Sequence, residues 1–299
     1  MSSFASNGRN KNASRLLDAM EDMLTVKDYS VEPKGVWGSV ATVKCNGLTI
    51  SSEDLDMEFV VPFDDDMEPN EAEIIVYNLS ANTVSKLKNK EKITIEAGYK
   101  GDTGVIFSGY VSKVSTTYSG ADKATTIYAL DDVSTKTVKE VTFQKGRKAS
   151  YILKYLLNLT KTPIAVFKVA RDHTYKDSVT VDGDLMQNIK TYAEVCGISV
   201  YVKKGKIYAR ALKEGDNLNF TISEETGLIG SPMPFEEERK AEDFTDVIKG
   251  YEVDTLLQHR MAAGGIVKLD SLIASGTYRI QSGEHIFNES EAVTRIKIY

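Results

Sequence analysis

The 299 residues include 37 basic and 43 acidic side chains, a net charge of −6, with 41% hydrophobic and 27% charged residues. That is the composition of an ordinary folded chain, and the acidic balance argues against nonspecific duplex binding, which calls for a basic stripe. No apolar run approaches the ~20 residues that span a bilayer, so no membrane partner is expected, and the length suits two or three domains.

Residues 1–12 are Ser- and Asn-rich, and Asn12 or Ser14 is positioned to cap an amphipathic helix reaching about Thr25. The N-terminus lacks an apolar core and cleavage signature, so the chain is expected to be made in, and at first to stay in, the cytosol. Strand signals begin near Val36, and Asn46-Gly47 between β-formers marks a hairpin. Met57, Phe59, Val61 and Phe63 alternate as a strand. The loop that follows carries Asp64, Asp65, Asp66, Glu68 and Glu71. Its consecutive acids do not match the EF-hand spacing, so it is read as a solvated acidic loop rather than a calcium site.

From Glu71 to Asp131 the pattern is densest. Ile74 and Val76 lie in a strand, Val84 and Leu87 in a short helix from Ser80 to Lys90, and Ile93, Ile95 and Ala97 in the next strand. Val105–Val114 and Thr126–Leu130 are two more strands, with glycine at the breaks. Period-two alternation with β-branched and aromatic residues predicts antiparallel strands with one buried face.

Beyond Asp131 the character changes. A last strand is expected over Val141–Gln144, a helix over Arg147–Lys161, a strand over Ile164–Val169 and a second helix over Asp184–Cys196 ended by Gly197. A hairpin crosses Lys204-Gly205. The last third returns to short strands at Phe220–Ile222, Phe244–Val253, Ile266–Leu269, Thr277–Ser282 and Thr294–Tyr299. The charge run Pro234–Phe244 is read as a solvated loop. The two β-rich parts are not obvious sequence repeats. The fold class is α+β, mainly β: an N-terminal helical leader (1–34), a first β-domain (35–135), a small α/β connecting domain (136–216) and a second β-domain (217–299).

Chemistry is hard to find. The histidines are His173, His259 and His285, none in zinc-ligand spacing, and neither a nucleophile elbow nor a phosphate loop is present. Asp172 and Asp177 flank His173 in what reads as a charged surface loop. Cys45 and Cys196 are far apart and read as buried free thiols. No catalytic residue, metal or cofactor is assigned.

The order of elements is more specific than any one motif. A strand Ile74–Ser80, a short helix, Ile93–Tyr99, a glycine-rich turn, Ile106–Val111 and Thr126–Asp132 resembles the tail baseplate hub proteins of phages and phage-derived contractile particles. The likeness extends to Asp184–Cys196 with Gly197 and the hairpin Val200–Ala209, then to Ser275–Ile280 followed by Gly283 and His285. It spans residues 35–299. The resemblance implies two tube-type antiparallel β-barrel domains joined by the α/β domain, assembled as a homotrimer. Such a ring adapts a sixfold tail tube to a threefold central spike. Its implied partners are a tail tube protein or tube initiator, the central spike protein, and baseplate wedge and tape-measure proteins, with DNA only passing through the lumen.

Some hubs carry a C-terminal peptidoglycan-degrading domain. This sequence stops directly after the second β-domain, so a non-enzymatic chain is expected, with His285 structural. Interaction is assigned to exposed strands of the tube domains, notably Tyr110, Lys113 and Tyr118. Two other readings compete: a hub-derived cell-wall hydrolase, and a carbohydrate- or receptor-binding module. The latter needs an aromatic platform; Trp37, the single tryptophan, lies beside Gly35 and Gly38 and is read as plugging a barrel end.

Overall fold

Alternating burial builds the first unit strand by strand. A computed structural model describes residues 38–120, 122–131, 137–241 and 244–299. The expected helix ending near Thr25, and Trp37, lie outside the described residues. The first seven strands are β1 (Ser39–Cys45), β2 (Leu48–Ser51), β3 (Met57–Phe63), β4 (Glu71–Tyr77), β5 (Lys92–Tyr99), β6 (Asp102–Ser119) and β7 (Asp122–Leu130). In β3, Met57, Phe59 and Val61 are buried while Val60 faces solvent; in β4, Ala72, Ile74 and Val76 turn inward. The β1–β2 hairpin turns at Asn46 and Gly47, both at positive φ, the type I′ pattern that matches strand twist. Helix α1 (Ala81–Lys86) is capped by the Ser80 side chain, which accepts from the Thr83 N–H.

The middle of the chain forms its own apolar cluster. Here β8 (Thr137–Phe143) pairs with β10 (Val179–Asp184), while β9 (Ile164–Phe167), β11 (Ser199–Lys203) and β12 (Lys206–Arg210) form a three-stranded sheet. Helices α2 (Ala149–Leu159) and α3 (Leu185–Cys196) pack Ile152, Leu153, Leu156, Leu157, Leu185 and Ile189 together. Asp184 caps α3 by accepting from the Gln187 N–H, and Gly197 ends it in the left-handed conformation. Strand β10 is absent from the sequence expectation, and the strand expected over Val141–Gln144 is β8, which begins earlier at Thr137 and belongs to this middle cluster.

The last part contains β13 (Asp216–Ile222), β14 (Leu228–Ala241), β15 (Phe244–Leu256), β16 (Gly265–Asp270), β17 (Ser275–Phe287) and β18 (Ala292–Ile298). The charge run Pro234–Phe244 is not a loop over its described residues: 234–241 lie in β14 and Phe244 opens β15.

These strands and the first seven make one sheet of 13 strands among the described residues, in the order β14-β15-β18-β17-β3-β4-β7-β6-β5-β1-β2, with β16 on β17 and β13 on β16. The join is the antiparallel pairing of β3 with β17, from Phe63 opposite Gly283 to Phe59 opposite Phe287. The rings of Phe59 and Phe287 stack with centroids 5.2 Å apart.

A buried ion pair ties all three parts together. Arg279 on β17 donates to Asp65 at 2.6 Å, both side chains 4% exposed. Arg279 also donates to the Glu214 carbonyl and to the Tyr299 hydroxyl, and the Tyr299 hydroxyl donates to the Leu212 carbonyl. Asp65, read from sequence as part of a solvated loop, is a structural anchor. Its replacement would strand a guanidinium in the core. Asp65→Ala is expected to cost about 3–5 kcal/mol in urea unfolding, and Asp65→Leu with Arg279→Met to recover most of it. A loss below about 1 kcal/mol for the single change would show the pair to be dispensable.

Candidate assembly surface

Strand β6 is 18 residues long and outlasts its neighbour β5. Its first half, Asp102–Tyr110, pairs with β5, and its second half continues beside β7 alone among the described residues. Tyr110, Lys113 and Tyr118 therefore sit in different settings. Tyr110 lies between Lys92 and Leu130 within the sheet. Lys113 follows a bulge at Ser112 and lies 5.7 Å from the Tyr128 ring centroid. Alternation past that bulge puts Tyr110 and Lys113 on the outer face. Tyr118 shares the face of Val114 and Thr116 that packs toward the core. It is nonetheless 75% exposed, because the strand has run past its cover.

The second β-unit repeats this arrangement. From β1 the first unit reads β1-β5-β6-β7-β4-β3, and the last reads β13-β16-β17-β18-β15-β14. The registers agree in detail. Val111 lies opposite Ala129 and Lys113 opposite Tyr128, with Ser112 bulged; Ile280 lies opposite Ile298 and Ser282 opposite Lys297, with Gln281 bulged. Further along, Thr116 and Thr125 share a hydroxyl hydrogen bond at 3.2 Å where His285 Nδ1 and Thr294 meet at 2.9 Å. Tyr118 thus occupies the place of Phe287, which is only 8% exposed under Phe59. The outermost strand is the departure: β13 runs parallel to β16, while β1 runs antiparallel to β5.

The titratable groups are engaged in structure. His285 is fully buried, and burial pulls its imidazole down to about 3. Burial and the neighbouring Asp66 carboxylate push Asp64 up to about 6. Asp102 accepts from both Arg260 guanidinium nitrogens at 2.7 Å and pairs with His259 at 3.0 Å, joining the β5–β6 turn to the segment after β15. Burial opposes ionisation of Asp216, but its bonds to Arg210 and Lys203 prevail and hold it at about 2. A cleft of about 840 Å³ opens between the Asp64–Glu68 loop, α3 and β17. Among the described residues no three His, Cys, Asp or Glu are grouped to hold a metal, and no helix is long and apolar enough to cross a membrane. Both cysteines are buried and free.

Residues 72–284 match the sequence profile of the family described as Baseplate hub gp41, well over half the chain. The chain belongs to the baseplate hub gp41 family. Membership gives this hub a structural role in a phage tail baseplate, as a component of a virion or tail particle. No curated protein matches it. Solved tail and secretion-system proteins share the fold. A tail protein from Neisseria meningitidis MC58 superposes with a TM-score of 0.61 at 8% identity, over 88% of this hub and 96% of that chain. The 43 kDa tail protein of prophage MuSo2 from Shewanella oneidensis gives 0.61 at 8% identity, over 87% and 97%. The E. coli c3393 protein, a type VI secretion component with structural similarity to T4 bacteriophage tail proteins gp27 and gp5, gives 0.59 at 12% identity, over 86% and 76%.

The buried imidazole of the hub makes a pH signature. Its folded pKa of about 3 lies below the ordinary 6.5. Between these values the unfolded chain binds a proton that the folded chain refuses, so this contribution to stability is lost as pH falls. Asp64 acts in the opposite sense, since its raised pKa lets the folded chain hold a proton below about 6. A comparison with His285→Gln separates the two. From pH 7 to pH 5 the native chain is expected to lose about 2 kcal/mol more than the variant in urea unfolding. Equal losses would mean that His285 is protonated inside the fold.

Proposed function

We propose that this chain is the structural hub of a contractile phage tail or tail-like particle, a homotrimeric ring that adapts the sixfold tail tube to the threefold central spike. The observation that carries this reading is the repeated strand order of its two β-units within one sheet. Two like units per chain give six around a threefold axis, which matches a sixfold tube on one face and a threefold spike on the other. The units are taken as tube-type barrel domains of residues 35–135 and 217–299, joined by the α/β domain 136–216. Partners are the tail tube protein or tube initiator on one side and the spike on the other. Wedge and tape-measure proteins lie nearby, DNA is present only in passage, and the particle is assembled in the host cytoplasm.

A non-enzymatic role is supported by the family and by the chemistry of the ionisable groups. His285 is sealed in the core, and Asp65 and Asp216 are committed to Arg279 and to Arg210 with Lys203. No observation favours the cell-wall hydrolase or the carbohydrate-binding module. The test is native mass by light scattering, for the chain alone and co-expressed with its genomic neighbours. A species near 99 kDa, three 33.0-kDa chains, alone or with a spike-like neighbour, is expected. A monomer under every condition, with no neighbour retained, would overturn the ring.

A further inference from the structure

The internal join of the sheet shows how one β-unit seats on the next. Strand β3 of the first unit lies along the second half of β17 in the last unit, with Val60 opposite Ile286 and Phe63 opposite Gly283. The repeat supplies both halves of this join a second time. The counterpart of β17 is β6, whose residues beyond Ser112 pair only with β7 among the described residues. The counterpart of β3 is β14, which pairs only with β15 among the described residues. Each chain therefore offers one acceptor edge and one donor edge, of the same two kinds already joined inside it.

We propose that β14 of one copy pairs antiparallel with Lys113–Tyr118 of β6 in the next copy, repeating the β3–β17 junction between chains. This rests on the trimeric hub reading above and specifies its interface. The register follows from matched partners. Met233 lies opposite Glu252, which faces Lys297 across its other side, as Val60 lies opposite Glu73, which faces Tyr128. Lys297 and Tyr128 hold the same place in the repeat. Met233 thus takes the place of Val60, Glu236 that of Phe63 and Glu237 that of Asp64. On the acceptor, Thr117 stands for Ile286, Val114 for Gly283 and Lys113 for Ser282. The pairs across the interface are Thr117 with Met233 and Val114 with Glu236, with Lys113 facing Glu237.

Exposure agrees with this register. Met233, at 61%, and Tyr118, at 75%, are large apolar side chains in solvent on the two edges that the register brings together. Tyr118 would close over the Gly230–Pro232 irregularity of β14, as Phe287 closes over Phe59. Lys113 opposite Glu237 is a favourable cross-strand charge pair. Long edge strands with apolar side chains invite pairing; in this register Pro234 and Pro232 lie opposite Thr116 and Tyr118, where their carbonyls can accept from those N–H groups but they donate none in return. The interface is head-to-tail, so it closes into a ring when the rotation per copy divides a full turn and otherwise runs on as a filament.

Backbone alternation selects the test. Tyr77 donates to the Asp56 carbonyl, so alternate residues of β3, Val60 included, direct their backbone groups to β4. Val60 and Ile286 are then a non-hydrogen-bonded pair, with the short Cα separation that a disulfide accepts. The full chain carrying Thr117→Cys and Met233→Cys is oxidised mildly and run without reductant, with its native mass measured in parallel. The native thiols do not interfere, since both are buried and Cys196 is pushed up to about 11. Intermolecular bands stopping at three copies are expected, at least tenfold weaker in either single-cysteine chain and in the out-of-register pair Thr117→Cys with Glu237→Cys. A trimeric mass without the disulfide would overturn the β14–β6 junction and leave the hub reading intact. A ladder beyond three copies would keep the junction and refute closure at a trimer. A monomer with no disulfide, alone and with neighbours, would overturn both.

Discussion

Everything in this molecule depends on two strand edges meeting inside one chain. Unpaired edges expose backbone donors and acceptors and invite indiscriminate association. The β3–β17 pairing satisfies one edge from each β-unit at once, and it fixes the angle between the units through the sheet's own hydrogen bonding. Close approach at that seam is enforced by Gly283, where a Cβ would come 2.4 Å from the Arg295 carbonyl and 2.7 Å from the Phe63 ring. The Asp65–Arg279 pair sits just beyond the seam and draws the middle part in through Leu212 and Glu214. Rigid spacing of two like units inside one chain is what a ring with twice as many positions as subunits requires.

Much of this was legible in the residues. Period-two burial in β1 to β5, the Asn46-Gly47 turn and the caps of α3 follow from side-chain volume, positive φ and orphaned helix N–H groups, all local properties. Pro234–Phe244 was misread because that part of β14 and β15 extends as a hairpin beyond β18. Among the described residues its outer part pairs only within the hairpin, and its charge-rich sequence has no apolar alternation to read. Similarly, β10 was missed because Asp182, Gly183 and Asp184 resemble a loop and its partner β8 lies 40 or so residues upstream.

The repeat itself was invisible in sequence for a different reason. What the two units retain is register and bulge position, not residue type. Val114 corresponds to Gly283, and Thr116 to His285, a hydroxyl in one unit and an imidazole in the other, each bonded to a buried threonine on the facing strand. Tyr110, Lys113 and Tyr118 were selected for exposure on a strand, and they divide between two faces. Only the second unit shows why Tyr118 differs from its neighbours: the equivalent Phe287 has a strand on either side, while among the described residues Tyr118 pairs with β7 alone.

Amide hydrogen exchange tests the account most directly, because it reads pairing at each edge in the isolated chain and in the assembled particle. Residues 59–63 and 283–287 should be protected in both states. By backbone alternation the Val114, Thr116, Tyr118 and Glu236 amides face away from β7 and β15; they should exchange rapidly in the isolated chain and become protected on assembly, whereas their alternate neighbours are already paired within the chain. Rapid exchange at 59–63 and 283–287 in the isolated chain would contradict the internal seam on which the account stands. Unchanged exchange at Val114, Thr116, Tyr118 and Glu236 on assembly would contradict its repetition between chains.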